Sequence, residues 1–176
     1  MTDDSDIWQR IRDRDEKAFE SLYRANAGRL CAYLRQIVPG AQLAEDLMQE
    51  TFTSVWQSPN GFHPERGSLR SYLFGMARRR AADWWRSHSH DRKGFHGQED
   101  TAGSAASFSD VADSFSRLPE EQQSILWLRE IEGQSYAELA QILAIPAGTV
   151  KSRLFAAREE LRRIWHSSKT SKESRE

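Results

Sequence analysis

Ser135-Tyr136-Ala137-Glu138-Leu139-Ala140-Gln141-Ile142-Leu143-Ala144-Ile145-Pro146-Ala147-Gly148-Thr149-Val150-Lys151-Ser152-Arg153-Leu154 contains two helix starts separated by one short turn. A serine followed three residues later by glutamate forms a capping box. The hydroxyl accepts an orphan backbone N–H and the carboxylate reaches back to the serine N–H, so a helix begins at Tyr136. Leu139, Ala140, Ile142 and Leu143 carry it to a stop near Ala144-Ile145, and Pro146, favoured in a first turn, opens the next helix. At ~100° per residue, Val150, Leu154, Ala157, Leu161 and Ile164 share one stripe, which must pack on the preceding helix. Ser152, Phe155 and Ala156 then point outward, with Thr149 and Lys151 at the edges. Two short helices with a tight turn, the second basic, describe a helix-turn-helix, whose second helix is sized for a DNA major groove. An outward phenylalanine gains nothing in folding. A thymine methyl group would explain it, with Lys151 and Ser152 within reach of base edges. Arg153, Arg158, Arg162 and Arg163 are placed for phosphates. A solvated basic helix in an ordinary bundle is the alternative reading of this stretch alone.

Working outward, Leu118-Pro119-Glu120 opens a helix carrying Ile125, Leu126 and Leu128, and Gly133 breaks the chain before Ser135. Upstream of that lies a connector over 87–115, rich in Ser, Gly, Ala, His and Asp, with 2 basic and 5 acidic side chains and the composition of a linker. Before it, residues 1–86 read as helices throughout. Phe19, Leu22 and Tyr23, then Leu30, Tyr33, Leu34, Ile37 and Val38, recur at helical intervals up to Pro39-Gly40. A third helix over 42–57 turns Ala44, Leu47, Met48, Thr51, Phe52 and Val55 inward. A fourth over 68–86 is expected to bury Leu69, Tyr72, Leu73, Met76, Ala77 and Trp84. The fold class expected is all-α: two small helical domains, 1–86 and 116–166, joined by a flexible acidic linker over 87–115. The second is a helix-turn-helix, and a disordered tail over 167–176 follows.

The first block has two further polar constellations. Six arginines, Arg66, Arg70, Arg78, Arg79, Arg80 and Arg86, face a single acid, Asp83, and are interleaved with Phe62, Tyr72, Phe74, Trp84 and Trp85. That mixture suits a groove that tracks a nucleic-acid backbone while bases meet aromatic faces. Asn60, Phe62 and His63, on the loop before the fourth helix, are the freest candidates for a base pocket. The stripe Asp46, Gln49, Glu50, Thr53 and Gln57 fits a solvated face, a surface for a partner helix, or a carboxylate metal site. The companion Glu-x-x-His pattern of a di-metal bundle is missing.

Lys and Arg number 25 against 26 Asp and Glu in 176 residues, so net charge announces no polyanion partner and any nucleic-acid surface is local. The single cysteine, Cys31, excludes an intrachain disulfide and a Cys-rich zinc module. His88, His90 and His96 in the connector are weak candidates for a transition metal. The acidic start without an apolar segment, and the lack of a membrane-length apolar run, point to a cytoplasmic chain with no membrane insertion. No Gly-rich phosphate loop or nucleophile motif is present. Catalysis has no visible home and no cofactor is implied.

Leu43-Ala44-Glu45-Asp46-Leu47-Met48-Gln49-Glu50-Thr51-Phe52 is followed by Pro64-Glu65-Arg66-Gly67 and by Leu73-Phe74-Gly75-Met76-Ala77-Arg78-Arg79-Arg80-Ala81. With Leu118-Pro119 and Gly148-Thr149-Val150-Lys151-Ser152-Arg153-Leu154, the series resembles bacterial extracytoplasmic-function (ECF) sigma factors. The resemblance implies a two-domain, non-enzymatic initiation subunit that binds core RNA polymerase and promoter DNA, duplex and single-stranded. Contacts with the β′ clamp helices would fall on Asp46, Gln49, Glu50 and Thr53, and the β flap is a second implied contact. Asn60, Phe62, His63, Arg70, Arg78, Arg79 and Arg86 would bind and open the minus-ten element. Thr149, Lys151, Ser152, Arg153, Phe155, Ala156 and Arg158 would read the minus-thirty-five element. An anti-sigma factor is an implied partner. Two departures from the family pattern are His63, where relatives often carry Asp, and Pro146-Ala147, where many carry Ser-Glu. A stand-alone helix-turn-helix regulator and a carboxylate-dependent helical hydrolase are the competing readings.

Overall fold

In the computed structural model, residues 4–88 and 106–173 are described, and no strand occurs among them. The first unit consists of α1 (Asp4–Arg12), α2 (Glu16–Ile37), α3 (Ala41–Gln57), a 3-10 turn (Pro64–Arg66) and α4 (Leu69–Ser87). The second consists of α5 (Ala106–Ser116), α6 (Glu120–Leu126) with a π-helical turn (Trp127–Ile131), α7 (Tyr136–Leu143) and α8 (Ala147–Glu173).

Local chemistry sets the helix starts. Asp15 caps α2, its carboxylate accepting from Lys17 N at 2.9 Å and Ala18 N at 3.2 Å, which satisfies donors that a helix start leaves orphaned. The residue before it, Arg14, turns the chain at φ 65° and lies over the Trp56 ring at 5.4 Å. Ser68 caps α4 by accepting from Ser71 N at 3.1 Å, and Asp4 of α1 accepts from Leu69 N at 2.6 Å. Gly67, at φ 150°, cannot be replaced without strain. A Cβ there would also lie 3.0 Å from Ser71 Oγ and 3.2 Å from Gln141 Oε1.

The capping box at Ser135 forms as expected. Ser135 Oγ accepts from Glu138 N at 3.2 Å and Glu138 Oε2 accepts from Ser135 N at 2.9 Å. Replacing Ser135 by Ala is expected to cost about 1 kcal/mol, a fall of roughly 2–4 °C in melting temperature. A calorimetric scan of both chains checks it.

Several expectations are corrected. Residues 19–37 belong to one continuous helix, α2, because nothing between Ala25 and Arg29 breaks it; Gly28 costs a helix only about 1 kcal/mol. An additional helix, α1, precedes it and buries Trp8 and Ile11. The C-terminal part of the connector is helical as α5, where Val111 and Phe115 recur at helical spacing. The tail expected to be disordered from residue 167 instead continues α8 to Glu173. No Gly or Pro intervenes after Gly148, and extending a formed helix costs far less than starting one.

Within the fourth helix the buried tryptophan is Trp85, not Trp84. Trp85 donates through Nε1 to the Ile37 carbonyl at 2.8 Å, pairing an orphan acceptor at the end of α2. Trp84 stacks on His88 with ring centroids 4.2 Å apart. Phe74, Ala81 and Ser71 join Leu69, Leu73 and Ala77 in the interior, whereas Tyr72 and Met76 are half-buried.

The two units share one continuous apolar core. In the first, Leu30, Leu34 and Ile37 of α2 meet Ala44, Phe52 and Val55 of α3 and Leu73, Phe74 and Ala77 of α4. In the second, Ile125, Leu128, Leu139, Val150, Leu154 and Ala157 are buried. The two helical units expected from the sequence are present, and they also pack on each other, α4 along α7 and α2 against α6.

Candidate nucleic-acid interface

The stripe inferred for α8 is the buried one: Val150, Leu154, Ala157 and Ile164 are enclosed and Leu161 half-enclosed. Rotation of the helix therefore puts Lys151, Ser152, Arg153, Phe155, Ala156 and Arg158 outside, with Thr149 at the edge. Phe155 is 65% exposed, the most open of the large apolar side chains noted among the described residues. Ser152 Oγ donates to Thr149 O at 3.0 Å. The arginines are held by carboxylates: Arg153 by Glu121 at 3.5 Å, Arg158 by Glu130 at 2.6 Å, Arg163 by Glu160 at 2.5 Å, and Arg162 by Glu159. These pairs are largely exposed, so each is worth little and a phosphate can displace the carboxylate.

Asn60 and His63 are exposed on the loop leading to α4, and His63 lies 3.4 Å from Glu65. Phe62 is not the free aromatic that was expected. It is 6% exposed, edge-on to Trp8 at 5.3 Å and tilted against Tyr72 at 5.7 Å. This aromatic trio fixes the loop on α1 and α4. The signal for its missing member lies in Ile7, Trp8 and Ile11, an i, i+1, i+4 apolar set that marks one face of α1. Beneath the loop is a cavity of about 350 Å³, bounded by Phe62, His63, Arg66, Tyr72, Arg79 and, from the second unit, Gln141. Such a volume falls at the small end of ligand-sized pockets.

The expected arginines divide. Arg79 is exposed and Arg70 half-buried, while Arg86 pairs with Asp83. Arg78 is drawn inward to Glu120 at 3.0 Å, each side chain 17% exposed. Burial works against its charge, but Tyr33 and Glu120 more than compensate and raise its pKa. Burial likewise pushes the Tyr33 hydroxyl up, keeping it protonated as a hydrogen-bonding group. At Glu138, burial opposes the carboxylate, but bonds from Ser68 and Ser135 outweigh it and hold the group below its usual range.

On α3, Asp46, Gln49, Glu50 and Thr53 are all exposed along one side. Gln42 donates to Asp46 at 2.9 Å. Arg80, which the sequence placed in the basic cluster, belongs to this face instead, reaching Glu50 at 3.3 Å and bonding Ser54. Among the described residues no group of three His, Cys, Asp or Glu side chains is arranged to hold a metal. His90 and His96 lie outside the described residues. Among the described residues no helix is long and apolar enough to cross a membrane.

The Sigma-70 region 2 family model matches residues 22–90, and the Sigma-70, region 4 model matches residues 110–161. The chain is 32% identical over 182 residues to the ECF RNA polymerase sigma factor RpoE of Cereibacter sphaeroides, covering 92% of this chain and 98% of that one. The chain belongs to the ECF sigma factors. The sigma factor CarQ of Myxococcus xanthus is 29% identical over 165 residues, covering 89% of this chain and 94% of its own.

Two solved structures are similar in fold. The sigma factor RpoE of Bartonella quintana, co-crystallised with the anti-sigma factor NepR, has a TM-score of 0.70 at 23% identity over 84% of this chain and 96% of that one. CnrH, in complex with the cytosolic domain of CnrY, has 0.71 at 20% identity over 93% and 97%. As an ECF sigma factor the chain is a non-enzymatic promoter-specificity subunit that binds core RNA polymerase and promoter DNA. Region 2 in the first unit sets aside the stand-alone regulator, and the family's role sets aside the hydrolase.

Proposed function

We propose the following division of labour within this sigma factor. The α3 face formed by Asp46, Gln49, Glu50 and Thr53 docks on the β′ clamp helices, and the second unit docks on the β flap. The loop and α4 residues Asn60, Phe62, His63, Arg70, Arg78, Arg79 and Arg86 engage the minus-ten element, Phe62 as the packed wall of the loop rather than as a stacking platform. Thr149, Lys151, Ser152, Arg153, Phe155, Ala156 and Arg158 contact the minus-thirty-five element. Opening the duplex costs a few kcal/mol per flipped base, which contacts to an unstacked base offset at about 1–3 kcal/mol each. The compartment for this work is the cytoplasm. An anti-sigma factor, of the kind bound to the Bartonella relative, is its regulatory partner.

The observation that carries the assignment furthest is Phe155, an apolar ring left in water between Lys151, Ser152 and Arg158 on one helix face. Phe155→Ala is expected to weaken promoter use by about fivefold, roughly 1 kcal/mol, and to relax the preference for thymine at the base pair it meets. Transcription by the holoenzyme from a promoter library randomised at the minus-thirty-five element measures both. An unaltered sequence preference would remove Phe155 from the reading surface.

A further inference from the structure

Arg80 belongs to α4, yet its head group lies on α3. Nη1 donates to Glu50 Oε2 at 3.3 Å and Nη2 donates to Ser54 Oγ, so one guanidinium spans a full turn of the neighbouring helix. Its side chain is 28% exposed against 59% for Glu50, and its Nε is buried without a hydrogen-bond partner. An unpaired buried N–H works against this pose, which the two outer bonds must offset. Arg80 is therefore the fixed member of the pair and Glu50 the held one. Consecutive helical residues point about 100° apart, and the run Arg78-Arg79-Arg80 divides accordingly: Arg78 reaches Glu120, Arg79 is exposed and Arg80 turns to α3. Asp46, Gln49, Glu50 and Thr53, the four side chains assigned to docking, line one open cleft of about 430 Å³ that Ser54 and Arg80 complete. Two carboxylates one turn apart on a helix repel each other. Here each is held by its own donor, Asp46 by Gln42 at 2.9 Å and Glu50 by Arg80.

We propose that Arg80 is a positioning residue for polymerase docking: from α4 it fixes the Glu50 carboxylate for the clamp and acts through Glu50, not through its own charge. The proposal rests on the assignment of the α3 face to the clamp. A glutamate loses rotamer freedom when it is fixed at an interface, and the bond to Arg80 removes that freedom before polymerase arrives. The bond takes Oε2, and a carboxylate accepts at both oxygens, so Glu50 keeps accepting capacity for a donor on the partner. A cation beside Glu50 also has an opposing effect, since it lessens the pull on a basic partner. Between open charges that effect is small and is screened by salt, whereas ordering of the side chain is not screened. Lysine is no substitute. Its ammonium is a compact point charge, while the planar guanidinium fork binds Glu50 and Ser54 together.

The test is a double-mutant cycle in the full chain: Arg80→Met, which keeps an apolar stem, Glu50→Ala, and the two combined, with Arg80→Lys as the conservative variant. Each protein is titrated into fluorescently labelled core RNA polymerase at low and at high salt. Arg80→Met is expected to weaken binding about fivefold at both salt concentrations, and Arg80→Lys to recover less than half of that loss. In the Glu50→Ala background the same change at Arg80 should have almost no effect, because the side chain it holds is gone. Unchanged or tighter binding by Arg80→Met overturns the proposal, since Arg80 then only neutralises its neighbour. Full recovery by Arg80→Lys overturns it as well, because charge alone would suffice. A fivefold loss that persists without the Glu50 side chain also overturns it, showing a direct contact or a weakened fold. Failure of the docking assignment is read separately: Glu50→Ala with the parent's affinity removes Glu50 from the docking face, whereas a loss in Glu50→Ala with none in Arg80→Met removes only the positioning role.

Discussion

Phe74→Ala is expected to lower the free energy of unfolding by about 3–5 kcal/mol. Phe74 is fully enclosed and stands edge-on to Tyr33 with ring centroids 5.3 Å apart. Its removal deletes apolar contacts in the interior of α4 and takes away the ring that seats Tyr33, whose hydroxyl spans to the second unit. Since whole domains are stable by only about 5–15 kcal/mol, the loss is a large share of the total. Urea unfolding followed by tryptophan fluorescence measures it. A midpoint within error of the parent's would mean that the site collapses without leaving a cavity. Phe74→Leu keeps most of the volume and should lose less than half as much.

The second large effect is on assembly. Asp46→Arg combined with Glu50→Arg should weaken binding to core RNA polymerase at least thirtyfold, about 2 kcal/mol, because like charges brought together across an interface cost that much or more. Both side chains are exposed on α3. The fold should therefore survive, and urea unfolding should stay close to the parent's. Glu50 pairs with Arg80 at 3.3 Å across a largely open surface, and losing such a pair costs the monomer little. Titration of fluorescently labelled core enzyme with each protein gives the affinity. Equal affinity would detach the α3 face from the clamp.

The second unit was largely legible in the sequence. Its capping box is decided within four residues, and the rotation of α8 follows from five apolar positions. The exposed face of α3 was legible for the same reason. In the first unit the helical period identified stripes but not their borders. Trp84 and Trp85 are neighbours, and burial chose between them through the carbonyl of Ile37, 48 positions away. Phe62 read as a loop aromatic because Trp8 and Tyr72, the rings that enclose it, are separated from it by 54 and 10 positions. Arg78 read as one cation in a basic run, and its carboxylate partner lies 42 residues further on.

The amino-acid sequence by itself determined where the helices of the second unit start, which way α8 turns its Phe155 and which face of α3 stays polar. Each depends on bonds and side-chain spacing inside one or two helical turns. Tertiary structure alone decided that the two units close on each other, that Arg78 meets Glu120 and Ser68 meets Glu138, and that the loop pocket receives a wall from α7. Those outcomes join residues 42 or more positions apart. They are set by how complementary surfaces fit once the helices exist, and no local period encodes that fit.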